Sequence, residues 1–125
     1  LAYIHAEGFP AGELKHGPIA LIEDDLPVVV VVPSPRGVKL LHSKIVSNIQ
    51  EIRARGAKTI VIAEEGDESV EPYANWLIRI PATSSIMQPL LATVPLQFLA
   101  ADIARACGND DIDKPRNLAK SVTVE

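Results

Sequence analysis

Leu26-Pro27-Val28-Val29-Val30-Val31-Val32-Pro33 decides how the rest of the chain is read. The five valines are β-branched, stiff at χ1 and suited to a pleated surface. No polar residue alternates with them, so the run predicts a strand buried on both faces, the habit of a parallel sheet. Val38 to Arg55 follows, with apolar residues at Val38, Leu41, Ile45, Ile49 and Ile52. Steps of three and four make one helical face, leaving Lys39, Lys44, Gln50 and Glu51 for solvent. Gly56 ends that helix, and Lys58 to Ala63, containing Thr59-Ile60-Val61-Ile62, predicts a second buried strand. Strand, helix and strand with short joints make a βαβ unit with a right-handed crossover.

Further along, Glu64 to Asn75 is acidic and turn-rich and is expected to form a solvated face. Trp76 to Pro81 predicts a third short strand. Ser85 to Cys107 predicts a long helix that accepts Pro89 in its first turn but is kinked or split at Pro95. From Gly108 the chain turns polar, and Asp113 to Glu125 reads as an irregular tail. Before the valine run, Leu1 to Glu7 reads as the end of a helix stopped by Gly8-Phe9-Pro10. Gly12 to Ile22 reads as a loop with one or two helical turns, broken at Gly17-Pro18. The expected fold is therefore α/β: about three parallel strands flanked by helices, with an irregular C-terminal tail. Such a sheet has open edges and reads as half of a layered domain.

The 125 residues have room for one compact domain or a piece of a larger one. The chain begins Leu1-Ala2-Tyr3 without methionine, which suggests a piece of something longer. A net charge of -4 gives nucleic-acid binding no electrostatic footing. Cys107 is the single cysteine, which excludes an internal disulfide and a cysteine-rich zinc site and points to a reducing, cytoplasmic compartment. The longest apolar run, Leu26 to Pro33, is too short to span a bilayer, so no membrane partner is expected.

Candidate chemistry is sparse. Neither a dinucleotide fingerprint nor a phosphate-cradling loop is present. His5-Ala6-Glu7 opens like a zinc-deaminase signature, but the paired cysteines that must follow do not exist. His5, His16, Glu7 and Glu13 match no familiar ligand spacing, so no metal is expected. His16 sits in Gly12-Glu13-Leu14-Lys15-His16-Gly17-Pro18, a loop suited to proton transfer, although an ordinary loop histidine explains it as well. His42, among lysines on the helix, is expected in solvent. Thr83-Ser84-Ser85 and Ser34 are hydroxyls at strand ends that could hold a phosphate, but helix capping is the simpler reading. In the tail, a lysine folded into an apolar pocket would lose proton affinity and could attack a carbonyl; an exposed lysine is the plain alternative.

Three stretches narrow the choice. Tyr3-Ile4-His5-Ala6-Glu7, Ala11-Gly12-Glu13-Leu14-Lys15-His16-Gly17-Pro18, and Pro115-Arg116-Asn117-Leu118-Ala119-Lys120-Ser121-Val122-Thr123-Val124-Glu125 closely resemble the glucosamine-6-phosphate synthases, the isomerizing glutamine–fructose-6-phosphate aminotransferases. Thr93-Val94-Pro95-Leu96-Gln97 and Ile52-Arg53-Ala54-Arg55-Gly56 match as well. The resemblance covers essentially this whole chain but only the last part of the family's polypeptide. It implies a flavodoxin-like, three-layer SIS (sugar isomerase) sandwich, with residues 1-108 as the C-terminal half of the second SIS domain and 109-125 as a catalytic tail. It implies that Lys120 forms the Schiff base with fructose 6-phosphate, that His16 opens the sugar ring in the neighbouring subunit, and that Ala119 lies against the sugar. Arg116 and Asn117 would hold the tail in place. The partners it implies are a sugar phosphate (fructose 6-phosphate or glucosamine 6-phosphate) and a second copy in a homodimer; it implies no cofactor.

The family's proton-shuttling glutamate, its phosphate-binding Ser/Thr loop in the first SIS domain and its glutaminase domain all fall outside this chain, so the piece alone is expected to be inactive. Two other readings compete: a non-catalytic SIS module that binds a sugar phosphate, and an architectural half-domain that self-associates through its open edge. The lysine-bearing tail and the Glu-Leu-Lys-His loop favour the enzyme, since a sensor needs neither.

Overall fold

The computed structural model describes residues 1–114. Strands β1 (Pro27–Val31), β2 (Lys58–Glu64) and β3 (Trp76–Ile80) and helices α1 (Lys39–Arg53) and α2 (Gln88–Ala106) carry the fold, with short 3-10 turns at Leu14–His16, Pro18–Leu21 and Glu68–Tyr73. The sheet order is β1-β2-β3 and both pairings are parallel. Val29 stands beside Ile60, and Ile62 beside Ile78. The expected α/β architecture and its three strands are borne out.

The chain divides into two compact units. The first, Glu7–Pro95, holds the sheet and α1. Ile45, Ile49 and Ile52 are buried on the predicted helical face. Ile45 and Ile49 pack with Val32, Val61, Ala63 and Val70 into one core, joined by half-buried Val30, Tyr73 and Leu77. Each fully buried side chain of this size contributes about 1.5–3 kcal/mol, so α1 is held to the sheet mainly by its isoleucines.

β1 corrects the sequence reading. It is not buried on both faces: Val29 and Val31 remain 39% and 41% exposed, while Val32 just beyond the strand is fully buried. The reason is position. β1 pairs with β2 alone, and among the described residues only the side carrying Val30 and Val32 joins the core. β2 lies between two strands and is buried almost throughout.

A tight approach feeds β2. Gly56 has φ +90, and a Cβ there would lie 1.9 Å from Asp24 Oδ1, so glycine is required on both counts. The Asp25 N–H donates to Gly56 O at 2.9 Å and the Lys58 N–H to Leu26 O at 2.8 Å, which starts the β1–β2 ladder. At the far side, buried Thr59 donates its hydroxyl to Tyr73 O at 2.6 Å and its N–H to Asn75 Oδ1 at 2.9 Å, pinning the entry to β3.

The second unit takes in Leu1–Ala6 and, of the described residues, those from Leu96 to Lys114. The expected helix at Leu1–Glu7 is not formed; those residues have no regular structure, and Tyr3 has φ 55. α2 begins at Gln88 rather than Ser85 and continues as one helix through Pro95. Its end follows the glycine rule: Gly108 has φ 79, and the Asn109 N–H reaches back to Ala104 O at 2.9 Å. No helix of the described residues is long and apolar enough to cross a membrane.

Candidate functional site

His16 ends the 3-10 turn Leu14–His16, directly before Gly17 and Pro18. Its backbone N–H donates to Glu13 O at 3.0 Å. The side chain is exposed. The local cause is legible: a Gly/Pro frame prevents a longer helix, so the imidazole stands on a short, backbone-braced turn instead of packing into a core. Lys120 and Ala119, the other expected site residues, lie outside the described residues, as do Arg116 and Asn117.

The carboxyl end of the sheet carries what sequence reasoning missed. The acidic stretch is a solvated face only in part: Glu65, Glu68 and Glu71 are exposed, but two of its acids are not. Glu64 and Asp67 are only 3% and 4% exposed. Arg36 Nη2 bonds Glu64 Oε1 at 2.9 Å, while Glu64 Oε2 has no partner among the described residues. Arg79 Nη1 donates to the carbonyls of Glu64 and Asp67, both at 2.9 Å, and its Nη2 pairs with Glu71. His42 is likewise not in solvent: its Nε2 lies 2.7 Å from Asp67 Oδ2, and its side chain is 12% exposed. Asp67 Oδ1 accepts from the Ser69 backbone N–H and hydroxyl. Burial pushes the Asp67 carboxyl up, but the Ser69 and His42 hydrogen bonds and the His42 charge outweigh it, and Asp67 sits below its ordinary value.

Beside this network is a cleft of about 380 Å³ at the end of β1, lined by Val31, Ser34, Val38, Leu41, Ser85 and Gln88 among others. Val38 and Leu41, expected on the buried face of α1, are 68% and 49% exposed and border this cleft. Gln88 spans it, accepting from the Ser34 N–H at 2.8 Å and donating to Val32 O at 2.9 Å. Ser34 does not cap α1; its hydroxyl accepts from the Arg36 N–H at 3.2 Å and shapes the loop. At the start of α2 the Ser84 carbonyl takes the Met87 and Gln88 N–H groups. Among the described residues no three His, Cys, Asp or Glu side chains are grouped to hold a metal ion.

Ligands of open parallel sheets collect at these carboxyl ends, which puts the geometry in line with the family comparison. Residues 1–105 match the SIS domain. The chain belongs to the SIS domain family. Over its full length this SIS chain is 77% identical to a glutamine–fructose-6-phosphate aminotransferase [isomerizing] of Streptomyces coelicolor and 72% identical to one of Mycobacterium tuberculosis, covering 20% of each. The solved C-terminal domain of glucosamine-fructose-6-phosphate aminotransferase from Francisella tularensis superposes with a TM-score of 0.72 at 39% identity, covering 87% of this chain and 30% of that one. The SIS chain thus spans about a fifth of the length of the curated relatives it matches. The family resemblance carried by the histidine loop and the tail is borne out, and the SIS fold expected from it is the one observed.

A signal for the missed network was present. Glu64 directly continues a strand of buried residues, and a carboxylate in that position must be paired or costs several kcal/mol. That Arg36, from 28 positions earlier, reaches it, while Arg79, from 15 later, takes the Glu64 backbone carbonyl, only the folded chain shows.

Proposed function

We propose that this SIS chain is part of the isomerase region of a glutamine–fructose-6-phosphate aminotransferase, which makes glucosamine 6-phosphate from fructose 6-phosphate and glutamine. One observation carries the reading: the unbroken similarity to such enzymes over all 125 residues, from the histidine loop through the lysine-bearing end. In this reading Lys120 is the amine nucleophile. Its uncharged Nζ adds to the C2 carbonyl of the open-chain ketose, and loss of water leaves an imine. Ammonia released from glutamine then adds to the imine carbon and expels Lys120 as the free amine. The resulting sugar imine acidifies C1, which allows the C1–C2 proton transfer that gives the amino sugar. His16 serves ring opening, a proton-transfer task that suits an exposed imidazole on a fixed turn. Ala119 lies along the sugar through its backbone. The enzyme works as a homodimer in the cytoplasm, with its glutaminase and first SIS domains supplied outside this piece.

Borohydride trapping tests the assignment. The full-length protein is incubated with fructose 6-phosphate, reduced and digested; the label is expected on Lys120. A label on any other lysine rejects the catalytic assignment. The isolated chain with fructose 6-phosphate and ammonia is expected to yield no glucosamine 6-phosphate.

A further inference from the structure

We propose that His42 and Asp67 form a proton-operated latch that fixes the Glu64–Tyr73 segment against α1, tight when His42 is protonated and loosened when it is not. The contact is short, 2.7 Å between Nε2 and Oδ2, and both side chains are largely withdrawn from water at 12% and 3% exposure. It links the first turns of α1 to the loop after β2. At its other end α1 grips the same segment through Arg53 Nη1 and Pro72 O at 3.3 Å. Of the two grips only the histidine carries a proton whose loss removes the charge, since a guanidinium keeps its own.

The charge balance supplies the switch. Three carboxylates of the segment face three cations from three different elements: Glu64 faces Arg36 of the β1–α1 loop, Asp67 faces His42 of α1, and Glu71 faces Arg79 of β3. With His42 protonated the set is neutral. Removal of that proton leaves one buried carboxylate without a matching cation, where little water screens it. The other charged side chains of the two elements near the contact are Glu65 and Glu68 on the segment and Lys39, one turn earlier on α1. A neutral imidazole can still donate from Nε2, so the latch weakens and does not vanish. The effect reaches the end of the sheet, because Arg79 Nη1 and the Asp67 N–H both bond the Glu64 carbonyl, the residue that holds Arg36.

Amide exchange by mass spectrometry on the full-length protein tests this without a ligand. After correction for intrinsic base catalysis, peptides covering 64–73 are expected to exchange about fivefold faster at about pH 8.5 than at about pH 5.5. Peptides covering α1 beyond its second turn are expected to stay level. His42→Gln keeps a donor but cannot titrate, and is expected to give a flat profile; an unchanged pH-dependence in that variant overturns the proposal. Should the variant not fold, exchange of the His42 C2 proton in the unaltered protein gives its titration midpoint. The midpoint for 64–73 is expected to coincide with it, and a separation above about one pH unit overturns the proposal.

Discussion

β1 and β2 are written in nearly the same alphabet, Pro27-Val-Val-Val-Val31 and Lys58-Thr-Ile-Val-Ile-Ala-Glu64, yet they meet different fates. β2 is buried even at Thr59 and Glu64, its two most polar interior positions. β1, all valine after its proline, leaves alternate residues exposed. A hydrophobic run therefore reports that a strand tolerates burial, whereas the number of neighbours decides whether it is buried. The contrast extends to the strand ends: β1 runs into a hydroxyl and a backbone-bonded glutamine, β2 into a network of paired charges.

The largest expected effect separates the strand centres. Ile62→Ala in β2, at a fully buried position, should lower the opening free energy of the 58–64 peptide by about 4 kcal/mol. Val29→Ala in β1, 39% exposed, should cost about 1 kcal/mol or less. Amide exchange of the strand peptides in the full-length protein reads both, and equal losses break the comparison.

The strand ends should differ next. Asp67→Ala strips a buried partner from His42 and Ser69 and should cost about 3 kcal/mol in the same measurement. Ser34→Ala removes only the acceptor for the Arg36 N–H and should cost about 1 kcal/mol.

Two glycines sharpen the point further. Gly56→Ala must find room against Asp24 at positive φ, and about 2 kcal/mol of lost stability at the entry to β2 is expected. A Cβ at Gly37 meets the Ser85 hydroxyl at 3.1 Å, a group that can rotate aside, so Gly37→Ala should cost about 0.5 kcal/mol.

The smallest effect is in acid. Asp67 is held below its ordinary 3.8, so its contribution is fully present above that value and is lost as pH falls through the lower folded value. The opening free energy of 64–73 should therefore decline in strong acid in the unaltered protein. Asp67→Asn should remove that part of the decline, and an identical acid limb in both proteins would show that another carboxylate carries it.

Much of this was legible in the residues. The step of three and four through Ile45, Ile49 and Ile52 named the buried helical face, and the valine and isoleucine runs named the strands. Gly56 marked a helix end, and it has positive φ. His16 was singled out by its Gly/Pro frame, and it stands on the short turn that frame implies. The misread charges share one cause. His42 was assigned to solvent from the lysines near it in sequence, and Glu64 and Asp67 from the acids around them; each was decided by a residue at least 25 positions away.

The sequence by itself determined the order of elements, the parallel pairing they require and the kinship with the SIS domain, because periodicity and turn chemistry act over a few residues. Only the tertiary structure decided which strand has two neighbours, which valines stay exposed, and which charges meet beneath the surface. Desolvation and pairing depend on groups brought together through space, and no local pattern records them.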